Sequence, residues 1–241
     1  MLPLNMSSAD ATRDHRSWNV EAPYDHVRDT IDLSAIAGPA RSRLKRAMDV
    51  LGALSMLIAL TPVMVALALL VRSDGGPVFF RQRRIGAGGR PFMCLKYRTM
   101  RTDAEAQLQA LLARDAEARA SWESDFKLRV DPRVTRFGSL MRRTSLDELP
   151  QLFNVIKGDM SLVGPRPIVA AEVARYGVAM REYLNCRPGV TGLWQVSGRN
   201  DVDYKTRVKL DQTYVRNWSL VADIGILFRT VRVVLLRSGA Y

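Results

Sequence analysis

Hydrophobic and polar positions divide the chain into unlike stretches. Residues 1–40 are polar, carry Pro3, Pro23 and Pro39, and hold no sustained period of 2 or 3.6, so they are expected to form a polar N-terminal tail. Val50 to Val71 then runs for 22 residues without a charge, interrupted only by Gly52, Ser55, Thr61 and Pro62. As a straight helix at about 1.5 Å per residue this run measures about 33 Å, enough to cross a bilayer. A long polar stretch precedes it and no small-residue cleavage site follows, which argues against a secretory leader. Two features also argue against a simple crossing. Pro62 removes the hydrogen bond to the Ile58 carbonyl and crowds that turn, while the Thr61 hydroxyl can satisfy a freed carbonyl, so a bend at Thr61-Pro62 is tolerable in lipid. Basic residues flank both ends, Arg41 to Arg46 before and Arg72 to Arg84 after, and each cluster belongs on the cytoplasmic side. Residues 44–74 are therefore expected to be a re-entrant membrane helix, a helical hairpin that dips into the inner leaflet and returns. A plain single span and a buried core helix are the alternatives.

Beyond the turn Gly75-Gly76-Pro77, two strand-like runs, Val78 to Ile85 and Pro91 to Met100, surround Gly86-Ala87-Gly88-Gly89 and predict a β-hairpin. The glycine cluster lacks the spacing of a dinucleotide fingerprint and no helix follows closely. Residues 103–127 predict a solvated amphipathic helix. Ser145 with Glu148, and Thr144 with Asp147, read as capping boxes, which start a helix near residue 145 that tolerates Pro150 and ends at Lys157-Gly158. In the C-terminal segment, Ile224, Leu227, Phe228, Val231 and Leu235 share one helical face with Trp218 near its start, either against the core or on a membrane interface. The fold class is α+β, mainly helical.

Composition narrows the chemistry. The 241 residues carry a formal charge of +12 with 47% hydrophobic residues, enough for a core. Residues 41–101 hold twelve Lys and Arg against Asp49 and Asp74, so the basic excess surrounds the apolar run and suits nucleic acid, an anionic membrane or a polyphosphate substrate. Two separated cysteines, Cys94 and Cys186, exclude a disulfide scaffold and a structural zinc site. The only histidines, His15 and His26, fall in the tail, so catalysis in the folded part must use carboxylates, cations, hydroxyls or an oxygen-bound metal.

Arg142 to Pro167 is densest in usable groups. Asp147 and Glu148 beside Arg142 and Arg143 at a helix N-terminus would stay ionised, able to attack phosphorus or bind Mg²⁺; the alternative is that one caps the helix and the other complements its dipole. Gly164-Pro165-Arg166-Pro167 is a rigid loop presenting one guanidinium suited to phosphate. The stretch from Arg187 to Arg199 is either a structural loop around Trp194 or a nucleotide-sugar and phosphate pocket using Arg187, Gln195 and Arg199.

The ordered motifs KRAMDVLGAL…TP, FRQRRIG, LKYRTM, TSLDELPQLFNVIKGDMSLVGPRP, RPGVTGLWQVSGR and DxxYVRNWSLxxDIxIL, over about residues 41–241, resemble the bacterial sugar transferases, the monotopic polyprenyl-phosphate phosphoglycosyl transferases. The nearest branch is the short exopolysaccharide-production one, typified by a galactose-1-phosphate transferase. The resemblance implies transfer of a sugar 1-phosphate, galactose or glucose, from a UDP-sugar to undecaprenyl phosphate with release of UMP, as the first membrane step of exopolysaccharide repeat-unit synthesis. It assigns Asp147 as the nucleophile that becomes a phosphosugar-aspartate and Glu148 as the holder of Mg²⁺. Arg142 and Arg166 become phosphate contacts, and Asp49 beside Arg46 an ion pair at the interface.

The resemblance further implies a sugar transferase domain over residues 41–241: a re-entrant membrane hairpin over 44–74, then a small cytoplasmic catalytic part over 75–241 with a β-hairpin and interfacial amphipathic helices. Long members add an N-terminal bundle of spans, so a minimal catalytic form is expected here. Partners would be the UDP-sugar, undecaprenyl phosphate and the bacterial inner membrane, with a homodimer as a candidate assembly. No nucleic acid is expected, since the chain has no recognisable nucleic-acid module and only 7% aromatic residues. The rival classes are a membrane-tethered nucleic-acid binder and a non-catalytic scaffold.

Overall fold

Ser42 starts the apolar helix: its hydroxyl oxygen accepts from the Lys45 amide, and α1 runs over Arg43–Arg72. The computed structural model describes residues 38–125, 128, 131–198 and 202–236, so all but the end of the expected tail, and Arg199, lie outside the described residues. α1 is continuous through Pro62. The Thr61 hydroxyl donates to the Leu57 carbonyl at 2.6 Å, a back-bond that favours bending next to the proline, but the expected reversal into two helical arms is not formed.

One stripe of α1, comprising Lys45, Asp49, Ala53, Met64, Leu67 and Val71, is buried against the rest of the protein. The opposite side is apolar and bare: Leu51, Ile58 and Leu69 are 65%, 76% and 66% exposed. An apolar surface of this extent is unfavourable against water and marks a face built for an apolar environment.

The predicted hairpin forms as β1 (Phe79–Ile85) and β2 (Pro91–Tyr97), antiparallel with Phe79 opposite Tyr97 and Ile85 opposite Pro91. The amphipathic stretch divides into α2 (Ala104–Arg114) and α3 (Ala116–Asp125), because the Asp115 carboxylate accepts from the Ala118 amide and starts a new helix. α4 (Arg136–Arg143) follows, N-capped by Thr135, whose hydroxyl accepts from the Gly138 amide. The capping boxes expected at Thr144 and Ser145 do not form. Ser145 takes a left-handed backbone with φ 56° and makes no side-chain cap, so the chain turns through a 3₁₀ segment (Leu146–Glu148) before α5 (Gln151–Lys157). Gly158 ends α5 with φ +97°, as the Lys157-Gly158 pair predicts.

β3 (Ser161–Val163) pairs in parallel with β4 (Gly189–Thr191), and between them lie α6 (Val173–Tyr176) and α7 (Met180–Leu184). α8 (Tyr204–Arg216) and α9 (Leu220–Leu236) complete the described chain. The main core joins Ala53 of α1 to Phe92 and Cys94 of β2, Leu152 and Val155 of α5, Leu162 and Val163 of β3, and Tyr214 and Ile226 of the last two helices. Asn154 fastens α5 to the strand: its side-chain oxygen accepts from the Leu95 amide at 3.0 Å and its nitrogen donates to the Met93 carbonyl at 2.8 Å.

Both ends of α1 are bonded to this one body. At the N-terminal end Lys45 donates to Asp223 Oδ2 at 2.7 Å and to the Val163 carbonyl at 3.0 Å, and lies 3.8 Å from Asp49. Asp49 accepts from the Ser161 hydroxyl and the Leu162 amide, while Asp223 also accepts from the Tyr214 hydroxyl and the Trp218 indole. At the other end Tyr97 donates to the Met64 carbonyl, and Arg98 to the Val71 carbonyl and Asp74. This corrects the expected Arg46–Asp49 pair: Asp49 is matched by Lys45. Arg46 instead donates to the Val155 and Ile156 carbonyls in the last turn of α5; the Val155 carbonyl also accepts from the Gly158 amide.

α9 buries Asp223 and Ile226 and leaves Val221 79%, Ile224 46%, Phe228 75% and Val231 58% exposed. The apolar face expected at Ile224, Phe228 and Val231 thus points outward, whereas Leu227 packs partly against the core.

Candidate active site

The acidic pair is held by two close approaches. A Cβ on Gly138 would meet the Thr99 carbonyl oxygen at 2.0 Å, so only glycine lets α4 lie directly on the chain leaving β2. The left-handed turn at Ser145 then reverses the chain and brings Asp147 and Glu148 against β2. Such a backbone costs about 1–3 kcal/mol in a residue bearing a side chain, and it persists here because helices α4 and α5 fix both sides of the turn.

Asp147 is buried and Glu148 half-buried. Lys96 on β2 donates to Glu148 Oε1 at 2.6 Å. Arg142, in the last turn of α4, donates through Nε to the Thr99 hydroxyl at 2.9 Å, and its charge acts on Asp147. Burial, reinforced by the Glu148 charge, pushes the Asp147 carboxyl up to about 6, against the pull of Lys96 and Arg142. Although burial works the other way, the Glu148 and Asp147 charges hold the Lys96 ammonium above its ordinary value. At neutral pH the site therefore holds an ionised, desolvated carboxylate that is more basic than an ordinary aspartate and sits beside two cations. That is the character of a nucleophile or general base toward an electron-poor centre such as phosphorus.

The sequence expectation that a helix N-terminus keeps the pair ionised is corrected: the pair lies in a 3₁₀ turn, and its charge balance comes from Lys96 and Arg142. Lys96 stood inside the LKYRTM motif with no role assigned. Its strand position was legible, but a partner 52 residues away was not.

Among the described residues no group of three His, Cys, Asp or Glu side chains gathers in one place. Mg²⁺ needs fewer protein ligands, since it takes one or two carboxylates and fills its octahedron with water and substrate phosphate. Two adjacent carboxylates, one with its ionisation opposed by the other, fit that donor set.

The hairpin is the floor joining this pair to a second polar cluster. Lys96 and Arg84 lie on the same face of the sheet, since Lys96 is opposite Phe80 and Arg84 opposite Phe92. Four residues along β2 separate these positions, about 13 Å at ~3.3 Å per residue. At the far end Arg84 donates to the Pro167 carbonyl and lies 3.6 Å from Glu172. Arg166 of the Gly-Pro-Arg-Pro loop is half-buried there, its guanidinium carbon 5.8 Å from the Trp194 ring centroid. Arg207 of α8 lies 4.3 Å from the same centroid.

The remaining sequence candidates are placed differently. Arg187 donates to the Gly158 and Ala40 carbonyls, which fixes the start of β4 to the end of α5 and the start of the described chain. Gln195 turns its amide into its own loop, toward the Val190 carbonyl and Gly192. Arg199 lies outside the described residues, and Thr61 and Pro62 are exposed in mid-α1.

A family model described as bacterial sugar transferase matches residues 40–237. An "Undecaprenyl-phosphate galactose phosphotransferase" of Salmonella typhimurium is 56% identical over 198 residues, covering 82% of this chain and 42% of that protein. A "UDP-galactose-lipid carrier transferase" of Erwinia amylovora is 54% identical over 198 residues, with the same 82% and 42% coverage. The "Exopolysaccharide production protein ExoY" of Rhizobium meliloti is 48% identical over 224 residues, covering 92% of this chain and 97% of that protein. The chain thus spans less than half the length of the first two relatives and nearly all of the third.

Proposed function

The chain belongs to the bacterial sugar transferase family, and from that premise we propose that it transfers a sugar 1-phosphate from a UDP-sugar to undecaprenyl phosphate, releasing UMP. The sugar is galactose, as the names of two relatives favour, with glucose the alternative. The single observation that carries the reading is the placement of the buried Asp147 carboxyl in a 3₁₀ turn against β2, next to Glu148 and its partner Lys96.

In the first step an Asp147 oxygen attacks the sugar-linked phosphorus, an acyl phosphate bond forms, and the bond to UMP breaks with its electron pair leaving on the UMP phosphate. In the second step an oxygen of the lipid phosphate attacks the same phosphorus. The aspartyl bond breaks, the carboxylate is restored, and the lipid-linked diphosphosugar departs. Arg142 and Lys96 offset negative charge around the reacting centre, and Arg166 is a phosphate contact. Glu148, with Asp147 beside it, would hold Mg²⁺, which supplies charge neutralisation to the diphosphate when bound. The product is the lipid-linked first sugar of an exopolysaccharide repeat unit.

The placement of α1 supports an acceptor held in lipid. Its two ends are bonded to the same body, by Lys45 at one and by Tyr97 and Arg98 at the other. A straight crossing would draw one end of that body, with Arg98 and Asp74, into the bilayer. Seating α1 along the inner leaflet, without a crossing, keeps both ends and the acidic pair on the cytoplasmic side while the bare apolar side faces acyl chains.

The test is to incubate the purified protein with Mg²⁺ and UDP-sugar labelled in the sugar, without lipid, and look for labelled protein and stoichiometric UMP. Adding polyprenyl phosphate should discharge the label. Turnover with no labelled protein at any time, and initial rates that require both substrates together, would overturn the two-step route.

A further inference from the structure

Buried cations in this protein are matched by acceptors: Lys45 by Asp223, Arg84 by the Pro167 carbonyl and Glu172, Arg133 by Asp131. Arg207 departs from this pattern. It is 7% exposed, yet among the described residues no carboxylate lies within ion-pair distance of it and its Nε has no hydrogen-bond acceptor. Its contacts are aromatic: the guanidinium carbon lies 4.3 Å from the Trp194 ring centroid and 5.8 Å from that of Tyr204. The charges of Glu172 and Asp211 act on Arg207, but neither acid reaches ion-pair distance of it. Glu172 is beside Arg84 and accepts from the Val169 amide, and Asp211, one turn along α8, accepts from the Tyr176 hydroxyl through Oδ2 at 2.8 Å, while its Oδ1 has no hydrogen-bond partner among the described residues.

Two further facts point the same way. The Trp194 indole N–H, on a residue 8% exposed, is a second buried donor with no acceptor among the described residues. Arg166 shares the Trp194 ring with Arg207, so two guanidinium charges are held together against their mutual repulsion. A closed structural cluster would bring a carboxylate into direct contact with Arg207, because a buried charge is tolerated best when paired and a buried donor when bonded. Stacking on an indole leaves the edge of a guanidinium, where its donors lie, free for oxygen ligands.

We propose that Arg207 and Trp194 form an anion-binding site that takes phosphate oxygens of one of the two substrates, with Arg207 a specificity-determining residue of the reaction. The inference rests on the phosphoryl-transfer reading above. The site lies at the Arg84 end of the hairpin floor, about 13 Å along the strand from Lys96, so the group it holds is distinct from the reacting phosphorus. Such a group belongs either to the nucleoside phosphate of the donor or to the phosphate of a second, lipid substrate.

Affinities of the full chain in detergent for UDP and for polyprenyl phosphate separate these sources, with wild type, Arg207→Gln, Arg207→Lys and Trp194→Phe compared. Arg207→Gln is expected to weaken one of the two ligands at least tenfold. Trp194→Phe, which keeps a ring and deletes the N–H, should weaken the same ligand about threefold. Without ligand, Arg207→Gln should melt no lower than wild type, and the rise in melting temperature that the ligand gives wild type should be absent. Loss of UDP affinity assigns the site to the donor and loss of polyprenyl phosphate affinity to the acceptor; either supports the proposal. Unchanged affinity for both ligands overturns it and leaves Arg207 a structural staple between two rings. If Arg207→Gln does not fold, Arg207→Lys and Trp194→Phe decide by the same affinities. Asp147→Asn is the control that separates the readings: it should bind both ligands and turn over neither. Turnover by that variant would sink the covalent route without touching the anion site.

Discussion

Among the described residues, two clusters that each join a lysine to a pair of carboxylates are built on opposite plans. Around Lys45, Asp49 and Asp223 every partner is protein: one ammonium, two carboxylates, and the hydroxyls, amide and indole of Ser161, Leu162, Tyr214 and Trp218 close on one another in the interior. Around Lys96, Glu148 and Asp147 the set is open. Lys96 is committed to Glu148, Arg142 is bonded to Thr99 rather than to an acid, and the Asp147 carboxyl sits 8% exposed with its ionisation opposed by burial and by its neighbour. A closed polar network fixes elements to one another, whereas an open one retains electrostatic free energy that a substrate or cation can discharge.

The contrast can be broken most sharply at Asp147. Asp147→Asn should reduce UMP release by at least about a thousandfold, as loss of a covalent nucleophile does, while leaving the melting temperature unchanged or slightly raised. The closed cluster predicts the reverse pattern. Lys45→Met strands two buried carboxylates and should cost about 3–5 kcal/mol of stability, read by thermal unfolding, with activity falling only in proportion to the folded fraction. Lys96→Gln should be intermediate. It removes a charge that pulls the Asp147 carboxyl down, so turnover should drop about tenfold or more and the acid limb of the pH–rate profile should move to higher pH.

The smallest expected effect concerns Asp211, which burial pushes up to about 7. A carboxyl raised in the folded state binds more protons there than in the unfolded chain between about pH 4 and 7, so stability declines as pH rises through that window. Asp211→Asn, which can still accept from Tyr176, should flatten that decline in melting temperature measured from pH 4 to 8.

What the sequence disclosed follows the range of each interaction. The apolar run, the hairpin around Gly86 to Gly89 and the stop at Gly158 are local, set by period and by backbone freedom, and each was legible. The acidic pair was found but misplaced. Ser145 and Glu148 have the spacing of a capping box, yet Gly138 lets α4 finish so close to Thr99 that the chain must turn through a left-handed serine before the next helix can start. The partner of Asp49 was misassigned for a different reason. Lys45 and Arg46 are adjacent on α1, and which of them faces the interior depends on Asp223, 178 residues from Lys45. Arg207 gave no local signal, because its distinction is the absence of a partner that only the fold reveals.

α1 also constrains how the molecule comes into being. Ala53 lies fully inside the main core, and Lys45 is at the centre of the closed network, so the greasy helix is at once anchor and keystone. A body that folds without α1 would therefore lack part of its core and the lysine of its closed network. Under the proposed placement the same helix serves the bilayer and the interior, and an enzyme stripped of this segment would lack its middle rather than its tether.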